Sequence, residues 1–123
     1  MKQEDKQLLL QDLCARLPYG VKVLYQVGSQ IPDRKFFDGK QYEELKHGSI
    51  LDDWLKCTFK PYLFPLSSMT SKQKAELSIL VVGVEDIFKA FLIEVEFYHK
   101  HHIDYRELIP MGLAIDATGL NIY

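Results

Sequence analysis

VEDIFKAFLIEVEFYHKHHIDYRELIP, residues 84–110, joins the longest amphipathic pattern of the chain to its densest polar cluster, and its reading decides the fold. At 100° per residue, Val84, Ile87, Phe88, Phe91, Leu92, Val95, Tyr98 and His102 share one stripe with spacings of three and four. That pattern predicts a helix whose stripe faces a core. A competing alternation of Phe91, Ile93, Val95 and Phe97 with Leu92, Glu94 and Glu96 would suit a half-buried strand, but it covers fewer residues. Ala90, Ile93 and Phe97 lie off the main stripe and form a second apolar face. Either the apolar tail from Met111 to Tyr123 covers that face or a second molecule does, and the tail is the favoured cover.

Outward from this stretch, the N-terminal residues Leu9, Leu10, Leu13, Cys14 and Leu17 share one helical face, with Asp5, Lys6, Gln11 and Asp12 around it. A first helix is expected from about residue 4 to 17, ended by Pro18 and Gly20. Cys14, on the apolar face, reads as a small buried hydrophobe rather than a nucleophile. VKVLYQV, residues 21–27, is rich in β-branched and aromatic residues and predicts a strand closed by Gly28. Lys35–Phe37 before Asp38-Gly39 offers it a hairpin partner. Ile50, Leu51, Trp54 and Leu55 have helical spacing and lead into a strand expected across Leu55–Lys60. Pro61 and Pro65 then bracket a piece that should be extended or edge-like, without a central place in a sheet. Thr70 and Gln73 stand at capping-box spacing before a helix that Gly83 should end. Asp104 is placed to cap a helical turn through Leu108 and Ile109, which Pro110 terminates. Together these elements predict one small α+β domain spanning residues 1–123: an N-terminal helix, short antiparallel strands in the middle, two C-terminal helices and a packed apolar tail.

A net charge of −2 creates no field that would attract a polyanion, so neither nucleic acid nor an anionic membrane is an expected partner. The 47% hydrophobic and 26% charged residues argue for a folded chain over a disordered one. Two cysteines, Cys14 and Cys57, lack both CxxC spacing and the density of a disulfide scaffold. With no signal-peptide pattern and no long apolar run, a reducing, cytoplasmic location is expected.

Three blocks, LCARLPYGVKV from residue 13, KPYLFPLSSMT from residue 60 and HHIDYRELIPMGLAIDATGLNIY from residue 101, resemble short proteins of gut Bacteroidetes and of their phages and mobile elements. The resemblance implies a small α+β protein with strands in its middle region and the KPYL block following one of them. It brings no activity, ligand or catalytic residue. Many relatives read DYRGLI where this chain has Asp104 to Ile109 with Glu107. Glutamate in place of glycine implies a position without a positive φ.

His99, His101, His102 and Asp104 are the cluster with metal-ligand residue types, and His99 and His102 lie three apart. Histidines in the last turn of a helix also interact favourably with its negative end, and further ligands are unmarked, so no metal or other cofactor is expected. A histidine base oriented by Asp104, with Tyr105 and Arg106 as anion or proton contacts, is a second possibility. Arg106 and Tyr105 would suit a phosphate or a partner's carboxylate, but a structural ion pair of Arg106 with Asp104 or Glu107 is the favoured reading. Nucleotide-loop, zinc-protease and serine-hydrolase motifs are missing. The sequence therefore leans away from an enzyme and toward a protein-interaction or accessory factor of a phage or mobile element, with Ile93, Phe97, Tyr105 and Arg106 as partner-binding residues. The alternative is a small hydrolase or metal-dependent enzyme centred on His99, His102, Asp104 and Arg106.

Overall fold

The computed structural model describes residues 3–26, 31–37 and 58–123. Helix α1 spans Gln3–Arg16 and passes into a 3₁₀ turn at Leu17–Tyr19, where Pro18 stops the helix and Gly20 exits at a φ of 71°. Strand β1 (Lys22–Gln26) pairs antiparallel with β2 (Asp33–Phe36) and with β3 (Thr58–Pro65). The alternating strand and its hairpin partner were both expected from sequence. Helix α2 (Ser71–Val81) begins with the anticipated capping box, in which Thr70 Oγ1 accepts from Gln73 N–H and Gln73 Oε1 accepts from Thr70 N–H. Helix α3 (Ile87–Lys100) is capped by Asp86, whose carboxylate accepts from the N–H groups of Phe88 and Lys89. Two short strands, β4 (Ile103–Asp104) and β5 (Ile115–Asp116), complete a mixed α+β arrangement. The Asp38-Gly39 turn, the helical spacing at Ile50–Leu55 and the strand expected before Thr58 lie outside the described residues.

Strand β3 is the axis of the sheet, contrary to the edge position expected for its proline-bracketed half. Its first half pairs with β1 through Pro61, and its second half pairs in parallel with β5 at Tyr62 and Leu63 and with β4 at Phe64 and Pro65. Pro61, which lacks an N–H, falls where one partner ends and the next begins, so the ladder tolerates it. KPYL accordingly lies within the strand rather than after it.

Both faces of β3 are covered. Phe59 and Leu63, with Val21 and Val23, pack on Leu9 and Leu13 of α1 and on Leu108 and Leu113. Tyr62, on the opposite face, packs with Ala117 and Ile122 of the tail. A strand buried on both sides must be apolar at successive positions, which accounts for the run Tyr62-Leu63-Phe64. The tail thus packs on the domain as its composition requires, but against the sheet and away from the Ala90, Ile93 and Phe97 face that sequence had offered it.

The N-terminal helix departs from its amphipathic reading on both of its faces. Cys14 and Leu17, placed on the apolar face, are exposed, whereas Asp12, placed beside it, is fully buried together with Arg16. The reason is chemical: Arg16 carries its charge inward to partners at the far end of the chain. Glu107 is a further correction, since its φ of 60° is left-handed. A glutamate is held in that conformation at a cost of about 1–2 kcal/mol.

Candidate functional site

The polar cluster forms because the last turn of α3 meets the reversal that follows it. Arg16 Nε donates to Asp12 Oδ2 at 2.8 Å, and its terminal nitrogens donate to the carbonyls of Ile103 at 2.6 Å and Tyr98 at 3.3 Å. Asp12 Oδ1, buried without a hydrogen bond, faces Arg106 Nε at 3.3 Å. Arg106 Nε–H donates to Tyr105 Oη at 3.1 Å, and that hydroxyl lies 2.8 Å from His99 Nε2. An oxygen that accepts from arginine is free to direct its own proton at the imidazole. Burial, then the positive charge of Arg16, lowers the His99 pKa from its ordinary value, which keeps the ring neutral and able to accept.

The four residues of the enzymatic reading do not converge. Asp104 orients neither histidine: its carboxylate accepts from the N–H groups of Leu108 and Ile109, both at 2.8 Å. This is the capping role expected of it. His102 stacks on Tyr123 at 3.8 Å between ring centres. Arg106 takes Asp12 as its carboxylate, in place of Asp104 or Glu107. The cluster thus joins α1 to residues 98–106, and its polar groups are largely engaged with one another. Among the described residues no three His, Cys, Asp or Glu side chains come together as a metal-binding group. No helix among them is long and apolar enough to cross a membrane.

His102 makes the tail pH-sensitive. Burial, followed by the charges of Arg16 and His101, lowers its pKa to about 4, and its Nδ1 is buried without a partner that could accept a proton's hydrogen bond. Tyr123, on which it stacks, accepts from Lys22 N–H and donates to the Tyr62 carbonyl at 2.7 Å, with burial pushing its phenol up to about 12. The unfolded chain binds a proton at His102 first, near 6.5, so stability falls as pH drops from there toward about 4. Since the ring keeps part of its exposure, the loss expected is roughly 1–2 kcal/mol. Urea titrations between these limits should show a shallower pH dependence for His102→Asn, which tolerates the left-handed φ of 58° at this position. An unchanged slope would remove His102 from the account.

The largest surprise is α3. Of its predicted core stripe, Ile87 is 82% exposed, Phe88 81%, Phe91 57% and Leu92 64%. The helix is present, but its orientation is reversed over the first two turns. α1 and the sheet already fill the main core, so α3 reaches the domain through its last turns, where Phe97 and His99 are buried. Ile93 and Phe97 line a cleft of about 330 Å³ with Glu76 and Leu80 of α2, Lys100 and His101. α2 buries no residue, and it too leaves Ile79 and Leu80 exposed, as is Val82 just after it. Sequence reasoning found the stripe of Ile87, Phe88, Phe91 and Leu92 and assigned it to the core, where the structure leaves it exposed. Tyr105 and Arg106 are half-buried in the polar cluster. No family model, curated protein or solved structure matches this chain.

Proposed function

We propose that the chain is a non-enzymatic interaction factor that docks on another protein through the outward face of α3. The observation that carries this reading is the exposure of Ile87, Phe88, Phe91 and Leu92 on adjacent turns. They present roughly 500–600 Å² of apolar surface, at the upper end of what ordinary monomers leave exposed. An uncharged arc containing two phenylalanines has the composition of an interface centre. The resemblance to proteins of Bacteroidetes phages and mobile elements supplies the setting, with a cytoplasmic protein of the host or the element as the target class.

The alternative, an enzyme built on His99, His102, Asp104 and Arg106, draws less support. Asp104 is occupied by backbone groups and the two histidines have separate partners. A photoreactive residue at position 91, compared with one at exposed Ser67, tests the interaction reading. Discrete protein adducts from position 91, and none from position 67, are expected in a Bacteroidetes host. Equal or absent labelling at the two positions would count against it.

A further inference from the structure

We infer that the face of β1, β2 and β3 turned away from α1 binds single-stranded nucleic acid, with Arg34, Lys60 and Lys22 on its phosphates and Phe36 under a base. This surface is separate from the α3 arc, and the inference goes beyond the interaction reading. Leu24 is opposite Arg34 in β2 and opposite Lys60 in β3, so the two cations stand in one row across the sheet. Lys22 and Phe36 form the next pair along, two residues on. Alternation therefore sends all four side chains to the face that Val23 and Phe59 do not occupy. Strands about 4.8 Å apart hold the backbones of Arg34 and Lys60 roughly 10 Å from each other, within reach of neighbouring phosphates on one strand.

Charge is sorted on this sheet. The three strands hold Lys22, Arg34, Lys35 and Lys60 against one carboxylate, whereas the whole chain has 15 basic and 17 acidic residues. That carboxylate, Asp33, is opposite Tyr25 and so belongs to the core side. The net charge of −2 averages over this sorting, which is why it gave no sign of a polyanion partner. Among the described residues none of the four cations makes an ion pair. Three lie over rings instead: Lys22 over Phe36 at 5.3 Å, Arg34 over Tyr62 at 5.1 Å and Lys35 over Tyr25 at 3.8 Å. A ring orders a cation without cancelling its charge, so the field stays open to an anion. Lys22 also donates to the Ile122 carbonyl, which leaves Arg34 and Lys60 as the more open contacts. Phe36, 58% exposed, selects the class of anion. An uncovered ring among cations suits a strand whose bases are free to stack, while a duplex or a polyanion without bases leaves that ring unused.

Fluorescence anisotropy of the full chain with a labelled single strand of about 12 nucleotides, as RNA and as DNA, tests this. Binding should weaken about 7–20-fold between about 50 and 200 mM salt, the dependence that two or three phosphate contacts give. Arg34→Gln combined with Lys60→Gln should weaken it about tenfold or more and flatten that dependence. Phe36→Ala should weaken it about fivefold or more and leave the salt dependence as it was, because a stacked base carries no charge. Arg34 and Phe36 are exposed, so Arg34→Gln and Phe36→Ala as single variants keep the fold and each should still show a loss. Lys72→Gln with Lys74→Gln, on the exposed side of α2, should change nothing. Binding of either strand supports the inference, and the ratio of the two names the sugar that the site prefers. No binding up to about 100 μM at the lower salt overturns it. So does an equal loss from the α2 pair, or a duplex or polyphosphate bound as tightly as the single strand.

Discussion

Arg16→Met is expected to lower the stability of the folded chain by about 3–5 kcal/mol, the usual cost of leaving a buried charge without its partner. Asp12 would remain fully buried with only the 3.3 Å approach of Arg106, and the Ile103 and Tyr98 carbonyls would lose their donor. The double variant Asp12→Leu/Arg16→Met should recover part of the loss, because it removes the orphaned carboxylate along with the guanidinium. Recovery should stay incomplete, since the two carbonyls still lack a donor. Urea titrations of the three proteins measure both effects. A neutral Arg16→Met would mean that the buried pair contributes nothing to holding α1 against residues 98–103.

Phenylalanine substitutions should divide sharply by position. Phe59 is buried between β1 and α1, with its ring 5.1 Å from that of Tyr25, and Phe59→Ala should cost about 3–5 kcal/mol through the cavity it leaves. Phe88→Ala, on a side chain exposed to solvent in the monomer, should change stability by less than about 0.5 kcal/mol. Sequence alone predicts a core loss at Phe88, so thermal unfolding of dilute protein distinguishes the two placements. A large loss at Phe88 under monomeric conditions would restore the predicted stripe.

Elements were legible in the sequence wherever a local rule governs them. Thr70 and Gln73 mark a helix start through backbone groups within one turn, and Pro18 with Gly20 marks a stop by the same local logic. Alternation in VKVLYQV was equally sufficient for β1. Orientation is a different matter. Periodicity says that Phe88 and Phe91 share a face, but which face meets the domain depends on what else fills the core, and Leu9, Leu13 and Leu113 had filled it. The polar cluster was legible only at its C-terminal end. Asp12 and Arg16 stand four apart in a helix that looks solvated, and their role depends on carbonyls more than eighty residues away, which no local pattern marks. The left-handed Glu107 was misread because the residue itself does not favour that conformation.

The mixed flanking of β3 has a consequence for the order in which the chain can fold. Strands β4 and β5 come from residues 103–116, and the partners of Arg16 from residues 98 and 103. A ribosome extends the chain by about 5–20 residues each second, so for several seconds β3 has emerged without β4 and β5. During that interval its second half carries an apolar run with open hydrogen-bonding groups, the condition under which strands recruit neighbouring chains. Nascent chains stalled before residue 103 should therefore be the form most dependent on chaperones, and emergence of residues 103–116 should be the step that lets the central strand close.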